Sequence, residues 1–242
     1  VKNVLSSRVG KWDVLQKLGV KGVEIGPPAP ENVEKVKAEL RKYGLRVMSV
    51  AGGIDLVDEK GLEKFDVLIN GAVTMGAKII FASAHASNDI PRSVTYERLR
   101  RAGDKAGKHG LTIALETHPI LCHNGDEALK TMQGVNHPNV RINFDTANVY
   151  YYNEKIDAVE EVKKIAKYVC SVHVKDTDGG FHSANFPPIG DGIVNFPEIF
   201  KILNGVGFYG PWTFELEATS EADMPAALEK SINYLRRTGC IE

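Results

Sequence analysis

The chain has 242 residues, 43% hydrophobic and 25% charged, with 30 Lys and Arg against 31 Asp and Glu for a formal net charge of -1. That apolar fraction excludes a disordered chain, and the charge balance excludes capture of nucleic acid by a basic surface. No apolar run approaches the roughly 18–20 residues of a membrane span, and the widely spaced Cys122, Cys170 and Cys240 imply neither a disulfide framework nor a zinc ribbon. A reducing, cytoplasmic setting without membrane or nucleic-acid partners is therefore expected. No basic-then-apolar leader opens the sequence at Val1, although removal of an upstream segment would leave the same start.

In chain order, short β-branched runs occur at NVLSS near residue 3, GVEIG from Gly22, LRVMSV from Leu45 and AKIIFAS from Ala77. They continue with LTIALET from Leu111, VRINFD from Val140, VCSVHVK from Val169 and PWTFELE from Pro211. Several are almost continuously apolar, as parallel strands buried on both faces are. Helical periodicity fills the gaps. ENVEKVKAELRKYG sets Val33, Val36 and Leu40 on one face and stops at Gly44, a C-terminal capping signal. VTYERLRRAGDKAGKHG, IDAVEEVKKIAKY and EADMPAALEKSINYLRR behave alike. Eight strand–helix units of about thirty residues, with no linker between them, predict an α/β fold: a single (β/α)8 TIM barrel domain over residues 1–242. The rival, an open doubly wound sheet, lacks its glycine-rich first turn, since SSRVGKWD carries one glycine.

A barrel keeps its chemistry at the C-terminal ends of its strands. The fifth predicted strand ends in Glu116, followed by Thr117 and His118, and the sixth ends in Asp145. The seventh carries His173 and Lys175, and the eighth Glu215 and Glu217. Four neighbouring strands thus each deliver a carboxylate or an imidazole to one rim. A carboxylate closing an apolar run is costly to bury unless paired or coordinated. Three carboxylates and one imidazole suit one divalent ion, Mn²⁺ first, with Mg²⁺, Co²⁺ or Zn²⁺ also compatible.

LTIALETHP, VRINFDTANVYYY, VHVKDTDGG with the later PPIGDGIVNFPEIFKIL, and GFYGPWTFELE resemble the xylose isomerase-like barrel superfamily. Within it they are most similar to the sugar phosphate isomerase/epimerase group, which includes inosose dehydratases and ketose 3-epimerases. The resemblance runs from about Gly19 to the C-terminal helix. It implies an enzyme acting on a small-molecule carbohydrate, with Glu116, Asp145, His173 and Glu215 as metal ligands. It also implies that Glu116 and Glu215 double as an acid/base pair. A bound ion would acidify a sugar C–H beside a carbonyl, leading to epimerisation, isomerisation or, if a hydroxyl leaves, dehydration. A homo-oligomer and a non-catalytic sugar-binding role stay open. The chain departs from the ketose 3-epimerases in three places, where a His, a Glu and an Arg of theirs fall on Asn148, Cys122 and Gly179.

The remaining candidates are weighed singly. Lys175 either meets a substrate oxygen and assists proton transfer, or forms a rim pair with Asp176. Glu217, two residues beyond Glu215, is expected as a rim salt bridge rather than a substrate group. His85 shares a strand face with Ser83 and could line the pocket. His118 either supports the ligand set or joins it, and His182 on the long seventh loop either touches substrate or is solvated. Glu24 reads as a structural anchor. Tyr150 to Tyr152 either wall the pocket or pack a helix. His109, His123 and His137 read as surface residues.

Overall fold

The computed structural model describes residues 3–217 and 219–242. Eight parallel strands close into a barrel in sequence order: β1 (Val4–Ser7), β2 (Gly22–Ile25), β3 (Arg46–Asp55), β4 (Ile79–His85), β5 (Thr112–Glu116), β6 (Val140–Asp145), β7 (Val169–Val174) and β8 (Pro211–Phe214). Pairing of Val4 with Pro211 through Ser7 with Phe214 closes the seam between β1 and β8. Every run singled out in the sequence supplies a strand. β3 runs on past Val50 through two glycines, pairing with β4 from Gly52–Ala82 to Asp55–His85, and Leu68 packs 2.5 Å from where a Cβ on Gly52 would sit. A glycine inside a strand here marks a close approach, not a stop.

The helices form the outer layer. α1 (Trp12–Lys17) and α2 (Val33–Lys42) lead into β2 and β3, and α3 (Gly61–Lys64) with α4 (Asp66–Met75) precede β4. α5 (Arg92–Gly107) and α6 (Gly125–Val135) follow β4 and β5. α7 (Asn148–Tyr151) and α8 (Ala158–Ile165) follow β6, while α9 (Phe196–Gly205) and α10 (Met224–Arg237) follow β7 and β8. Local chemistry sets their ends. Asn124 accepts the Glu127 amide, Asp157 those of Val159 and Glu160, and Asn195 that of Glu198, each supplying an otherwise orphaned N–H with an acceptor. Gly44, expected after α2, adopts a φ of +64°.

The core lies largely between strands and helices. Trp212 of β8 is fully buried, stacks on Phe200 of α9 with ring centroids 3.5 Å apart, and meets Phe208 edge-on. Inside the barrel the packing is more polar: Ser6, Ser49, Asn143, Ser171 and Thr213 are all buried. A cavity of about 740 Å³ opens at the opposite end from the polar rim, around Arg46, Lys78, Arg141 and Pro211 at strand starts. Size therefore does not locate the chemistry; the side chains do. Among the described residues, no helix is long and apolar enough to cross a membrane. Truncating the buried indole tests this packing: Trp212→Ala should cost about 3–5 kcal/mol of stability, read from the urea midpoint. A loss within experimental error would mean that the outer layer does not rest on Trp212.

Candidate metal centre

Three side chains meet at the C-terminal end of the barrel: Asp145, His173 and Glu215, each buried and each offering an atom within 4.8 Å of the others. The same pattern governs all three. Asp145 Oδ1 accepts the amides of Ala147 (2.8 Å) and Asn148 (2.9 Å), leaving Oδ2 without a partner. His173 Nε2 donates to Glu24 Oε1 at 3.0 Å, leaving Nδ1 without one. Glu215 Oε1 accepts from Arg8 Nη1 at 2.9 Å, leaving Oε2 bare. His173 Nδ1 lies 2.5 Å from Glu215 Oε2 and 3.9 Å from Asp145 Oδ2. The shorter approach is an ion pair between the imidazole and the Glu215 carboxylate, and Asp145 Oδ2 faces the same point without a hydrogen-bond partner. An unpartnered buried acceptor is expensive, and a cation that displaced the Nδ1 proton would engage all three atoms. Two carboxylate oxygens and one imidazole nitrogen fit a divalent ion of the Mn²⁺, Mg²⁺, Co²⁺ or Zn²⁺ kind.

Glu116, the fourth predicted ligand, closes β5 beside the trio but is only half-buried. Asn148 Nδ2 donates to its Oε1 at 3.4 Å, and Ser83 favours its charged form. Burial, joined by the charges of Asp145 and Glu215, raises its pKa above the usual carboxylate range despite Ser83. Burial likewise raises Asp145 against the favourable charge of Lys175. Glu215 is different: burial opposes its ionisation, but His173, then Arg8 and Lys175, hold it well below the usual range.

Glu24 is the anchor expected from its strand position, and its target is the site. Ser49 Oγ donates to its Oε2 at 2.6 Å while its Oε1 receives His173, fixing which imidazole nitrogen carries hydrogen. Phe81 stacks on the His173 ring at 4.5 Å between centroids. Lys175, 2% exposed, pairs with Glu217 Oε2 (2.9 Å), donates to Asn148 Oδ1 (3.3 Å) and lies over the Phe186 ring (4.0 Å). Glu217 is thus the rim partner. The alternative Lys175–Asp176 pair does not form, because Asp176 turns into the seventh loop and accepts the amides of Thr177, Gly190, Gly192 and Val194. That explains the Gly-Asp-Gly element: a Cβ on Gly192 would lie 2.3 Å from Asp176 Oδ1, and Gly190 adopts a φ of +95°.

The other predicted contacts spread around the rim. His118 meets Tyr152 edge-on at 5.1 Å, and Tyr151 links Tyr152 to His182, which stacks on Phe181. Tyr151 and Tyr152 therefore form an aromatic wall, whereas Tyr150 turns inward and its hydroxyl accepts the first amide of α8. His85 is exposed and pairs with Asp55. His137 is a correction: it is not a surface residue but a largely buried one, bonded to Asp104 and the Asn139 amide. His123 too is half-buried, with Nδ1 enclosed. At the three departures, Cys122 is core, Gly179 adopts a φ of +82° against Ile193, and Asn148 bridges Glu116 to Lys175. Sequence reasoning passed over Arg8. Its only signal was a charged residue closing the first strand.

A family model described as xylose isomerase-like TIM barrel matches residues 12–238. The chain belongs to that family. It is 25% identical over 189 residues to an L-ribulose-5-phosphate 3-epimerase, UlaE, of Salmonella paratyphi A, covering 75% of this chain and 65% of that protein. The chain therefore spans about 65% of the length of the curated relatives it matches. Among solved structures, 3-keto-D-glucoside 4-epimerase YcjR of E. coli superposes with a TM-score of 0.79 at 19% identity, covering 98% of this chain and 100% of that one. The probable 3-DHS dehydratase AsbF of Bacillus anthracis gives 0.79 at 19%, covering 98% and 99%. At that identity the two structures establish the shared fold.

The electrostatics yield a prediction. Burial would lower the His173 pKa, but the charges of Glu24 and Glu215 hold it up to about 10 in the ion-free protein. A metal ion competing for Nδ1 must displace that proton, so raising the pH favours the ion. Mn²⁺ binding at pH 7 should release a proton, with affinity rising as pH rises, measured by calorimetry in buffers of different ionisation enthalpy. Proton-neutral binding would remove His173 from the ligand set.

Proposed function

We propose that the protein is a divalent-metal-dependent epimerase or isomerase of a keto-sugar or sugar-like polyol. The observation that carries this is the convergence of three bare buried ligand atoms, from Asp145, His173 and Glu215, at the catalytic end of a xylose isomerase-like barrel. The sequence similarity to a sugar phosphate 3-epimerase supports the same chemistry. Asp145, His173 and Glu215, with Glu116 beside them, would hold the ion, Mn²⁺ in first place. When bound, such an ion polarises a sugar carbonyl and makes the adjacent C–H acidic.

The protein's own residues do the rest. Glu116 is the group suited to move the proton. It is a half-buried carboxylate of raised pKa whose 3.4 Å bond from Asn148 is long enough to exchange for substrate. Glu215 faces it across the site from the end of β8 as the other candidate of the acid/base pair. Lys175, locked by Glu217 and Asn148, presents an ammonium to a sugar oxygen. Tyr151, Tyr152, His118 and His182 offer aromatic faces and edges to the apolar side of the sugar ring. The seventh loop, cinched by Asp176, carries Phe186 and His182 and thus shapes specificity.

A second reading, a metal-dependent dehydratase of an inosose or keto-sugar, is favoured by Lys175. An ammonium buried this close to Asp145 and Glu215 could protonate a departing hydroxyl. Incubation of keto-sugars and inososes with Mn²⁺ in D₂O, followed by NMR, separates the two. Deuterium entering one C–H with a change of configuration or carbonyl position supports the epimerase or isomerase, and an unsaturated product marks the lyase. Glu116→Gln should abolish deuterium exchange, by about 10²-fold or more. A fully active variant would remove Glu116 from the mechanism.

A further inference from the structure

Arg8 lies just past β1, far in sequence from every ligand, yet touches two of the carboxylates that define the centre. Its Nη1 donates to Glu215 Oε1 at 2.9 Å, and its Nε lies 3.6 Å from Glu24 Oε1, the oxygen that receives His173 Nε2 at 3.0 Å. The guanidinium lies over the Phe81 ring at 5.3 Å, and the same ring stacks on His173. Its backbone is tied as well: the Arg8 amide donates to Phe214 O, one residue before Glu215. A rigid fork thus spans the barrel seam with one prong on a ligand and another on the residue that orients a second ligand.

We infer that Arg8 is a positioning residue that confines Glu215 and, through Glu24, His173 to one ligand atom each. The geometry leaves little freedom. With Oε1 engaged by Arg8, Glu215 can offer the ion only Oε2, in line with Asp145 Oδ2 and His173 Nδ1. The same engagement leaves Glu215 a single free oxygen, Oε2, to serve both the ion and its share of proton transfer. Charge points the same way. Glu24, Glu116, Asp145 and Glu215 crowd one end of the barrel, and Arg8 and Lys175 are the permanent cations set against them. Lys175 is turned toward Glu217, so Arg8 is the cation in contact with the ligand set itself.

This inference rests on the metal reading but not on the sugar chemistry, so the test uses Mn²⁺ alone. Titration calorimetry on the whole chain compares the parent protein with Arg8→Gln, Arg8→Lys, Glu24→Gln and the Arg8→Gln/Glu24→Gln double variant, each checked by thermal melting. Arg8→Gln should weaken Mn²⁺ binding about 10- to 100-fold, and Arg8→Lys should restore part of the loss. The double variant should lose less than the two single losses combined, because both act on His173. Parental affinity in Arg8→Gln, no recovery in Arg8→Lys, or full additivity in the double variant would each overturn the role of Arg8. A parent protein that binds no Mn²⁺ would overturn the metal reading, and this proposal with it.

Discussion

Three side chains, each with one atom bonded and the other left bare, organise this protein. Burying Asp145, His173 and Glu215 together in a barrel mouth is unfavourable unless each is held and their bare atoms share a cation. The surrounding structure supplies the holding. Backbone amides opening α7 fix Asp145, a carboxylate two strands from β8 fixes His173, and a guanidinium across the seam fixes Glu215. The three candidate ligands stand on or just past β6, β7 and β8, while His173 and Glu215 are held from the first three strands, through Arg8, Glu24 and Ser49. Closure of the barrel is what lets the first strands orient the last.

The barrel is strongly asymmetric along its axis. One end carries a cavity of about 740 Å³ lined by Arg46, Lys78 and Arg141; the other carries the carboxylates. The near-zero net charge gives no sign of this clustering of carboxylates at one end, where Arg8 and Lys175 stand among them. The rim beyond the ligands is built from Tyr151, Tyr152, His118 and His182, and the seventh loop that completes it is anchored from beneath by Asp176. Where ketose 3-epimerase relatives were expected to place a His, a Glu and an Arg, this chain has a bridging amide, a core thiol and a left-handed glycine. Of these, Cys122 belongs to the core, while Asn148 and Gly179 shape the rim.

Much of the fold was legible because its signals are local. Eight apolar runs alternate with helical periodicity, and β-branched strands buried on both faces need no distant information to be recognised. The candidate ligands were legible for the same reason: a carboxylate ending an apolar strand is conspicuous wherever it stands. Glu217 and Glu24 also behaved as their strand positions suggested, one at the rim and one as an anchor. Local reading was weaker where a neighbour from elsewhere sets the outcome. The Gly52 region continues β3 by pairing with β4, and Asp176 serves the loop amides instead of Lys175. His137 is enclosed by packing that its own flanking residues do not announce.

The sequence alone therefore determined the barrel, the order of its units and the residue types at its catalytic end, because periodicity and burial cost act over a few residues. Only the tertiary structure decided which atom of each ligand is bare. It also decided that Glu116 meets Asn148, and that Arg8 and Glu24 bond residues far along the chain. Those outcomes depend on hydrogen bonds a few ångströms long between strands that meet only when the barrel closes.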